Sequence, residues 1–295
     1  MPWCSASGTL PVNSSVIETT KFPDSLDETR DSIKPAEKQR PRVLIIANQK
    51  GGVGKTTTAI NLATALAAVG SRVLVVDLDP QGNASTGLGV GQDRRATGTY
   101  DLLIGRISIH EAIQTTDVPR LDLVPSTVEL AGIELELVNM ERREFRLRDA
   151  LEHVATKYDY VLVDSPPSLN LLTLNGLVAA DAVLVPLQCE FFALEGLTHL
   201  LRTIERVTRS LNPDLVLQGV VLTMADIRNN LTNMVAADVR DFLGEKVYST
   251  VIPRNVRVSE APSHGKPVLL YDFRCPGSQA YIQLAREVLR REAAV

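Results

Sequence analysis

Gln49-Lys50-Gly51-Gly52-Val53-Gly54-Lys55-Thr56-Thr57 is the stretch from which the rest of this 295-residue chain can be read. Before it runs Val43-Leu44-Ile45-Ile46-Ala47, a continuous apolar segment of the kind found in strands buried on both faces. After it, Thr56 to Val69 reads as a helix with Ile60, Ala63, Leu66 and Ala67 on one side and Gly70 at its end. Arg72-Val73-Leu74-Val75-Val76-Asp77 is the next buried strand, which makes a βαβ unit. A glycine-rich turn between such a strand and helix binds phosphate. Its glycines let backbone N–H groups turn inward as an anion nest, and the positive end of the helix reinforces them. Lys55 would then bridge the β- and γ-phosphates, and the Thr56 hydroxyl would ligate Mg²⁺.

The alternation continues outward from this unit. Leu121–Val124, Tyr160–Val163, Ala182–Val185 and Val216–Leu222 read as strands, with helical segments near 127–157, 170–179, 194–210 and 229–243. Repeated βα order predicts an α/β fold, a doubly wound, mostly parallel sheet of the P-loop NTPase type with helices on both faces. Segments 78–99 and 253–267 are punctuated by Gly and Pro and read as loops; the first is long enough for a switch or binding role. Residues 1–40 are rich in Ser, Thr, Pro, Asp and Glu without apolar periodicity. A disordered amino-terminal extension, 1–40, is expected ahead of one domain over 41–295.

Composition removes several function classes. The longest apolar runs are five residues, far short of the roughly 18 a membrane-spanning helix needs. The amino terminus has no basic cluster ahead of an apolar stretch, and Pro2 stands where a myristoylation signal requires glycine, so a cytoplasmic location is expected. Three dispersed cysteines and four histidines argue against a disulfide framework or a transition-metal centre. Cys189 and Cys275 read as packed residues rather than nucleophiles, since no His or Asn constellation accompanies them. Formal charge is −4, yet residues 196–295 hold 13 Lys/Arg against 10 Asp/Glu, while residues 1–195 hold 18 against 25. The carboxyl-terminal third carries the candidate basic face, with ordinary scatter of surface charge as the alternative.

Two further segments carry acids to strand ends. Asp77 and Asp79 follow the second strand, on the edge where ligands bind in parallel sheets, although aspartates there also cap helices. Tyr160-Val161-Leu162-Val163-Asp164 is an apolar strand ending in an acid, the Walker B form, which would hold Mg²⁺ directly or through water.

The glycine loop departs from GxxxxGK[ST]: Gln49 occupies the first glycine position, and a second lysine, Lys50, precedes the paired glycines. This form resembles the deviant Walker A motif of the nucleotide-switch ATPases that include ParA, MinD and the nitrogenase iron protein. Ala47 to Thr58, Asp77-Leu78-Asp79-Pro80-Gln81-Gly82-Asn83 and Val251-Ile252-Pro253-Arg254-Asn255-Val256-Arg257 are similar to the chromosomal ParA (Soj) family over residues 42 to about 290. The resemblance implies ATP and Mg²⁺ as cofactors, with Lys50, Gly51, Gly52, Val53, Gly54, Lys55, Thr56, Thr57 and Asp79 around the nucleotide. It implies that Lys50 reaches the partner's phosphates in an ATP-dependent homodimer, that Lys50, Lys55 and Asp79 serve hydrolysis, and that Asp79 orients the attacking water. Asp77 would support the metal region, Thr56, Asp79 and Asp164 would surround the metal, and Pro166-Pro167 would stiffen a second switch. Thr223-Met224, Pro253 and Asn255 would meet the adenine.

The same resemblance implies non-specific binding to double-stranded DNA, release when a ParB-like partner stimulates hydrolysis, and association with the nucleoid. Candidate phosphate contacts are Arg202, Arg206, Arg228, Arg240, Lys246, Arg254, Arg257 and Lys266, with Arg228, Arg257 and Lys266 foremost. A nitrogenase-type reading fails because no cysteine lies between Cys4 and Cys189. A MinD-type membrane helix is not expected, because Tyr281, Leu284, Ala285, Val288 and Leu289 read as a core-packing stripe and the chain ends within a turn or two. A positioning ATPase for another cargo and a metabolic P-loop ATPase or ligase are the alternatives.

Overall fold

In the computed structural model, residues 40–293 are described except 155, 191 and 227; residues 1–39 of the expected extension lie outside the described residues. Strand β1 (Arg42–Ile46) sends alternate side chains into two cores: Val43 and Ile45 pack in one, Leu44 and Ile46 in the other. Strand β2 (Val73–Asp77) does the same, with Leu74 and Val76 opposite Val73 and Val75. A strand covered on both faces needs no polar side, which is why these runs are continuously apolar. With β3 (Gln114–Thr115), β4 (Leu121–Val124), β5 (Tyr160–Asp164), β6 (Ala182–Gln188), β7 (Val216–Ala225) and β8 (Val247–Pro253) they form one sheet. Its order is β3-β4-β2-β5-β1-β6-β7-β8, parallel throughout except for the short β3–β4 pair.

Helices cover both faces, as the βα order requires. α1 (Lys55–Ala68), α2 (Asn83–Gly87), α11 (Val268–Tyr271) and α12 (Pro276–Ala293) contribute to one core. α3 (Thr99–Ile104), α4 (Ile109–Ala112), α5 (Ile133–Leu137), α6 (Arg146–Leu151), α7 (Leu171–Ala179), α8 (Ala193–Ser210) and α9 (Asn230–Leu243) contribute to the other. The stripe on α12 is core: Tyr281, Leu284, Ala285 and Val288 are buried, each large side chain contributing about 1.5–3 kcal/mol. No helix among the described residues is long and apolar enough to cross a membrane. Cys189 and Cys275 are buried.

The structure corrects the sequence reading in four places. The helical segment expected near 127–157 is broken into two short helices, α5 and α6, with 3₁₀ turns at Val128–Gly132 and Glu152–Val154 and irregular chain between α5 and α6. Its physical cause is Asn175 of α7, which accepts from Leu147 N–H at 3.2 Å and donates to the Arg143 carbonyl at 2.9 Å. Those two groups would otherwise bond to each other in a helix, so the asparagine stands in place of one rung. Segment 78–99 contains α2 and a 3₁₀ turn at Gln92–Arg94, and segment 253–267 contains α10 (Val256–Glu260) and another turn. Strands β3 and β8 have no counterpart in the sequence reading. Ser249 and Thr250 interrupt the apolar pattern of β8, but their polar atoms are taken by Glu287 of α12.

Candidate functional site

Three neighbouring parallel strands deliver the site. Ile46 of β1 registers with Asp164 of β5, and Asp164 registers with Asp77 of β2. The glycine loop and the acids are therefore set side by side at the carboxyl edge of the sheet, where open α/β folds bind ligands.

Side chains from other strands fix the loop. Asn48 Nδ2 donates to the Pro186 carbonyl at 2.8 Å, while its Oδ1 accepts from Lys50 N–H at 3.0 Å. Thr223 Oγ1 at the end of β7 donates to the Val53 carbonyl at 2.8 Å. Gly52 and Gly54 lie at φ +76° and +87°, the left-handed region that side chains disfavour. A side chain on Gly54 would also meet the Met224 methyl at 3.6 Å. α1 starts at Lys55, so the N–H groups of its first turn have no partners within the helix and open toward the loop.

The two lysines of the loop lie in different settings. Lys55 is buried, and its Nζ donates to the Lys50 carbonyl at 3.1 Å. Burial draws its pKa down, opposed by the charges of Asp164 and Asp79. Lys50 leaves the loop and pairs with Glu190, just beyond β6, with both side chains partly exposed.

The acids also divide. Asp77 is bonded at both oxygens: Oδ1 accepts from Asp79 N–H at 3.1 Å, and Oδ2 accepts from Ser85 N–H at 2.9 Å and Ser85 Oγ at 2.7 Å. Burial pushes its pKa up to about 6 against those bonds. It braces the turn into α2. Asp164 is equally buried, yet neither of its oxygens has a hydrogen-bond partner. Burial, then the charge of Asp77, hold its pKa well above the usual carboxylate range; Thr56, close but outside hydrogen-bonding geometry, and Lys55 act the other way. Asp79 is largely buried, and its Oδ1 accepts from Gln81 N–H at 3.0 Å. An orphaned buried carboxylate beside a threonine hydroxyl supplies the hard oxygen donors magnesium takes, and the loop N–H groups and Lys55 suit phosphate. The residues fit a magnesium nucleotide.

Comparison with known proteins agrees with this geometry. Residues 41–217 match the family model described as an AAA domain. A chromosome partitioning protein ParA of Caulobacter vibrioides is 65% identical over 253 residues, covering 85% of this chain and 95% of that one. The sporulation initiation inhibitor protein Soj of Bacillus subtilis is 53% identical over 247 residues, covering 84% and 98%. This chain belongs to the ParA/Soj family of chromosome-partitioning ATPases. Among solved structures it is similar to a cobyrinic acid a,c-diamide synthase from Mycobacterium smegmatis with bound ATP analogue and magnesium. That match has a TM-score of 0.76 and 39% identity over 86% of this chain and 96% of that one.

The remaining expected ParA/Soj residues divide into those near the loop and those apart from it. Met224 adopts φ +51° at the end of β7, against Gly54. Pro253 pairs with Ala225 across β7–β8, and Asn255 accepts from Arg257 N–H at 2.9 Å to cap α10. All three lie along the same sheet edge as the loop. Arg228 is paired with Asp226, and Arg257 with Glu260 and Asp272. Lys266 has no ion pair among the described residues. Sequence reasoning did not find Glu190, Ser85 or Asn48 in this ParA/Soj site. Glu190 had the same sign as Asp164, an acid just after an apolar strand; Asn48 owes its place to the Pro186 carbonyl, which the sheet brings to it, and Ser85 reaches Asp77 only through the turn into α2.

Proposed function

We propose that the chain is a weak Mg²⁺-dependent ATPase working as a DNA-segregation switch. ATP would join two protomers in a sandwich dimer that binds duplex DNA without sequence preference. A ParB-like centromere-binding partner would stimulate hydrolysis and release the DNA, in the cytoplasm and on the nucleoid. The observation that carries this reading is the separation of the two loop lysines. Lys55 alone of the two is buried beside Asp164 and Asp79, whereas Lys50 extends out of its own loop to Glu190. A second lysine not occupied with its own phosphates suits a role across a dimer.

In this reading Gly51 to Thr57 hold the phosphates by their N–H groups, and Lys55 neutralises the β- and γ-phosphates. Thr56 and Asp164, with Asp79 nearby, hold the metal, which when bound stabilises charge on the phosphoryl oxygens. Asp79 orients the attacking water. A carboxylate is a weak base at neutral pH, so it contributes orientation more than proton abstraction, and turnover is slow. Met224, Pro253 and Asn255 border the adenine. Arg228, Arg257 and Lys266 contact DNA phosphates, two modest patches being summed in the dimer. Residues 41–295 form the working domain, with 1–40 as an extension.

A second reading has support in the likeness to a cobyrinic acid a,c-diamide synthase, namely ATP-dependent activation of a small molecule. The higher identity to chromosome partitioning proteins favours the first. Sedimentation with ADP, ATP and a non-hydrolysable analogue, each with and without random-sequence duplex DNA, separates them. An ATP-dependent dimer that alone co-sediments with DNA is the expected result. One mass and no DNA affinity in every nucleotide state overturns the switch and shifts the weight to a metabolic ATPase.

A further inference from the structure

Arg95 is a buried guanidinium that the nucleotide site does not touch, and it makes no ion pair among the described residues. An arginine stays protonated, so burying it is costly unless its donors and charge are met. The chain meets them with backbone and hydroxyl oxygens. Nε donates to the Val90 carbonyl at 3.0 Å, Nη1 to the Ser126 carbonyl at 3.3 Å, and Nη2 to Thr86 Oγ1 and the Val90 carbonyl, both at 2.7 Å. The charge of buried Asp77 also acts favourably on it.

Two of these acceptors, Thr86 and Val90, belong to the segment that carries Asp79. Gly82 N–H donates to the Asp79 carbonyl at 2.9 Å, and Thr86 Oγ1 donates to the Gly82 carbonyl at 3.1 Å. The guanidinium lies against Gly82: a side chain there would come within 2.1 Å of Nη1. Ser126 N–H donates to Ser85 Oγ at 3.0 Å, and Ser85 holds the Asp77 carboxylate that receives Asp79 N–H. Two bonded routes thus run from Arg95 to the backbone of Asp79, one through Gly82 and one through Ser126, Ser85 and Asp77. Lysine cannot replace the fork, because one ammonium does not reach Thr86, Val90 and Ser126, acceptors spread over two segments, at once.

We propose that Arg95 is a positioning residue for hydrolysis, fixing the backbone on which Asp79 is carried. This rests on the reading of Asp79 as the residue that orients water. Misplacing a catalytic group by about an ångström costs roughly a hundredfold in rate. Arg95→Met should therefore lower the single-turnover rate of labelled ATP hydrolysis roughly tenfold to a hundredfold. Nucleotide affinity, read by a fluorescent ATP analogue with magnesium, should change less than about twofold, because the phosphate loop is fixed by Asn48 and Thr223 instead.

The deciding measurement repeats Arg95→Met in an Asp79→Ala background. If Arg95 acts through Asp79, the second substitution has no further effect on the residual rate. An equal loss in both backgrounds, or no loss in either, overturns the positioning role while leaving Asp79 as it was. An Asp79→Ala protein with the wild-type rate overturns the water-orienting reading and this one with it. Should Arg95→Met fail to fold, Thr86→Val removes one acceptor with little change of shape. It should give a smaller rate loss, again absent in the Asp79→Ala background; a loss persisting there counts against the proposal.

Discussion

The Lys50 ammonium is held by the Glu190 carboxylate of its own chain, across 140 residues of sequence. The pair joins the glycine loop after β1 to the segment after β6, two strands that are neighbours in the sheet. If Lys50 reaches a partner protomer, it must first leave Glu190, so the pair sets a small threshold against dimerisation. Because both side chains are partly exposed, that threshold is about 1 kcal/mol or less.

Glu190→Gln should accordingly let the ATP-dependent dimer form at lower protein concentration, by no more than about thirtyfold because one such pair opens in each of the two protomers, with no change in ADP. Sedimentation equilibrium with a non-hydrolysable analogue checks this. A weaker dimer would mean that Glu190 works across the interface instead.

Lys55→Met removes the buried cation beside Asp164 and Asp79. Charge-assisted hydrogen bonds are worth about 1.5–3 kcal/mol, so ATP affinity should fall roughly tenfold to 150-fold. Titration with a fluorescent nucleotide reads the change, and an affinity within twofold of the parent would remove Lys55 from the phosphate site.

Glu287 fastens α12 to β8. Burial works to raise its pKa, but bonds from Ser249 and Thr250 overcome this and bring it to about 2. Arg291 approaches the same carboxylate at 3.0 Å. A folded pKa below the unfolded value of about 4.3 means stability that is present above that value and lost as pH falls toward about 2. Glu287→Gln should lower Tm at pH 7 by about 4–8 °C, for a loss of about 2 kcal/mol, and should flatten the acid limb below about pH 4.3. Calorimetry across that range decides it; a parallel acid limb in parent and variant would count against the assignment.

Lys266 differs from Arg228 and Arg257 in carrying no local carboxylate. Its charge is the more available to a phosphate, so Lys266→Ala should weaken random-duplex binding and reduce the salt slope by roughly 0.9 for each DNA phosphate left unneutralised. ATP-dependent dimerisation should be unchanged. An unaltered salt slope would place the DNA face elsewhere.

Much of this architecture was legible because its determinants are local. A strand covered on both faces reads as Val43 to Ala47 or Tyr160 to Val163 wherever it occurs, and the glycine loop contains its own backbone requirement at Gly52 and Gly54. What escaped depends on pairings between distant segments. The break between α5 and α6 is made by Asn175, and the polar middle of β8 is satisfied by Glu287; nothing near either position announces its partner. The site divides in the same way. Lys55 opens α1 after the glycine loop, and Asp79 and Asp164 stand at or just past strand ends, so each can be read in place, whereas Arg95 and Glu190 acquire meaning only once the fold brings their neighbours.

The seating of β1 between β5 and β6 has a consequence for how the protein is made. Both flanking strands come far later in the chain than the loop they frame, and Asp164 and the Pro186 carbonyl that steadies Asn48 arrive with them. A nascent chain that has exposed only its first βαβ unit holds the glycine motif without its acid or its anchor. Such non-local pairing is slow to form, so competence to grip a nucleotide emerges late in synthesis, once most of the polypeptide has left the ribosome.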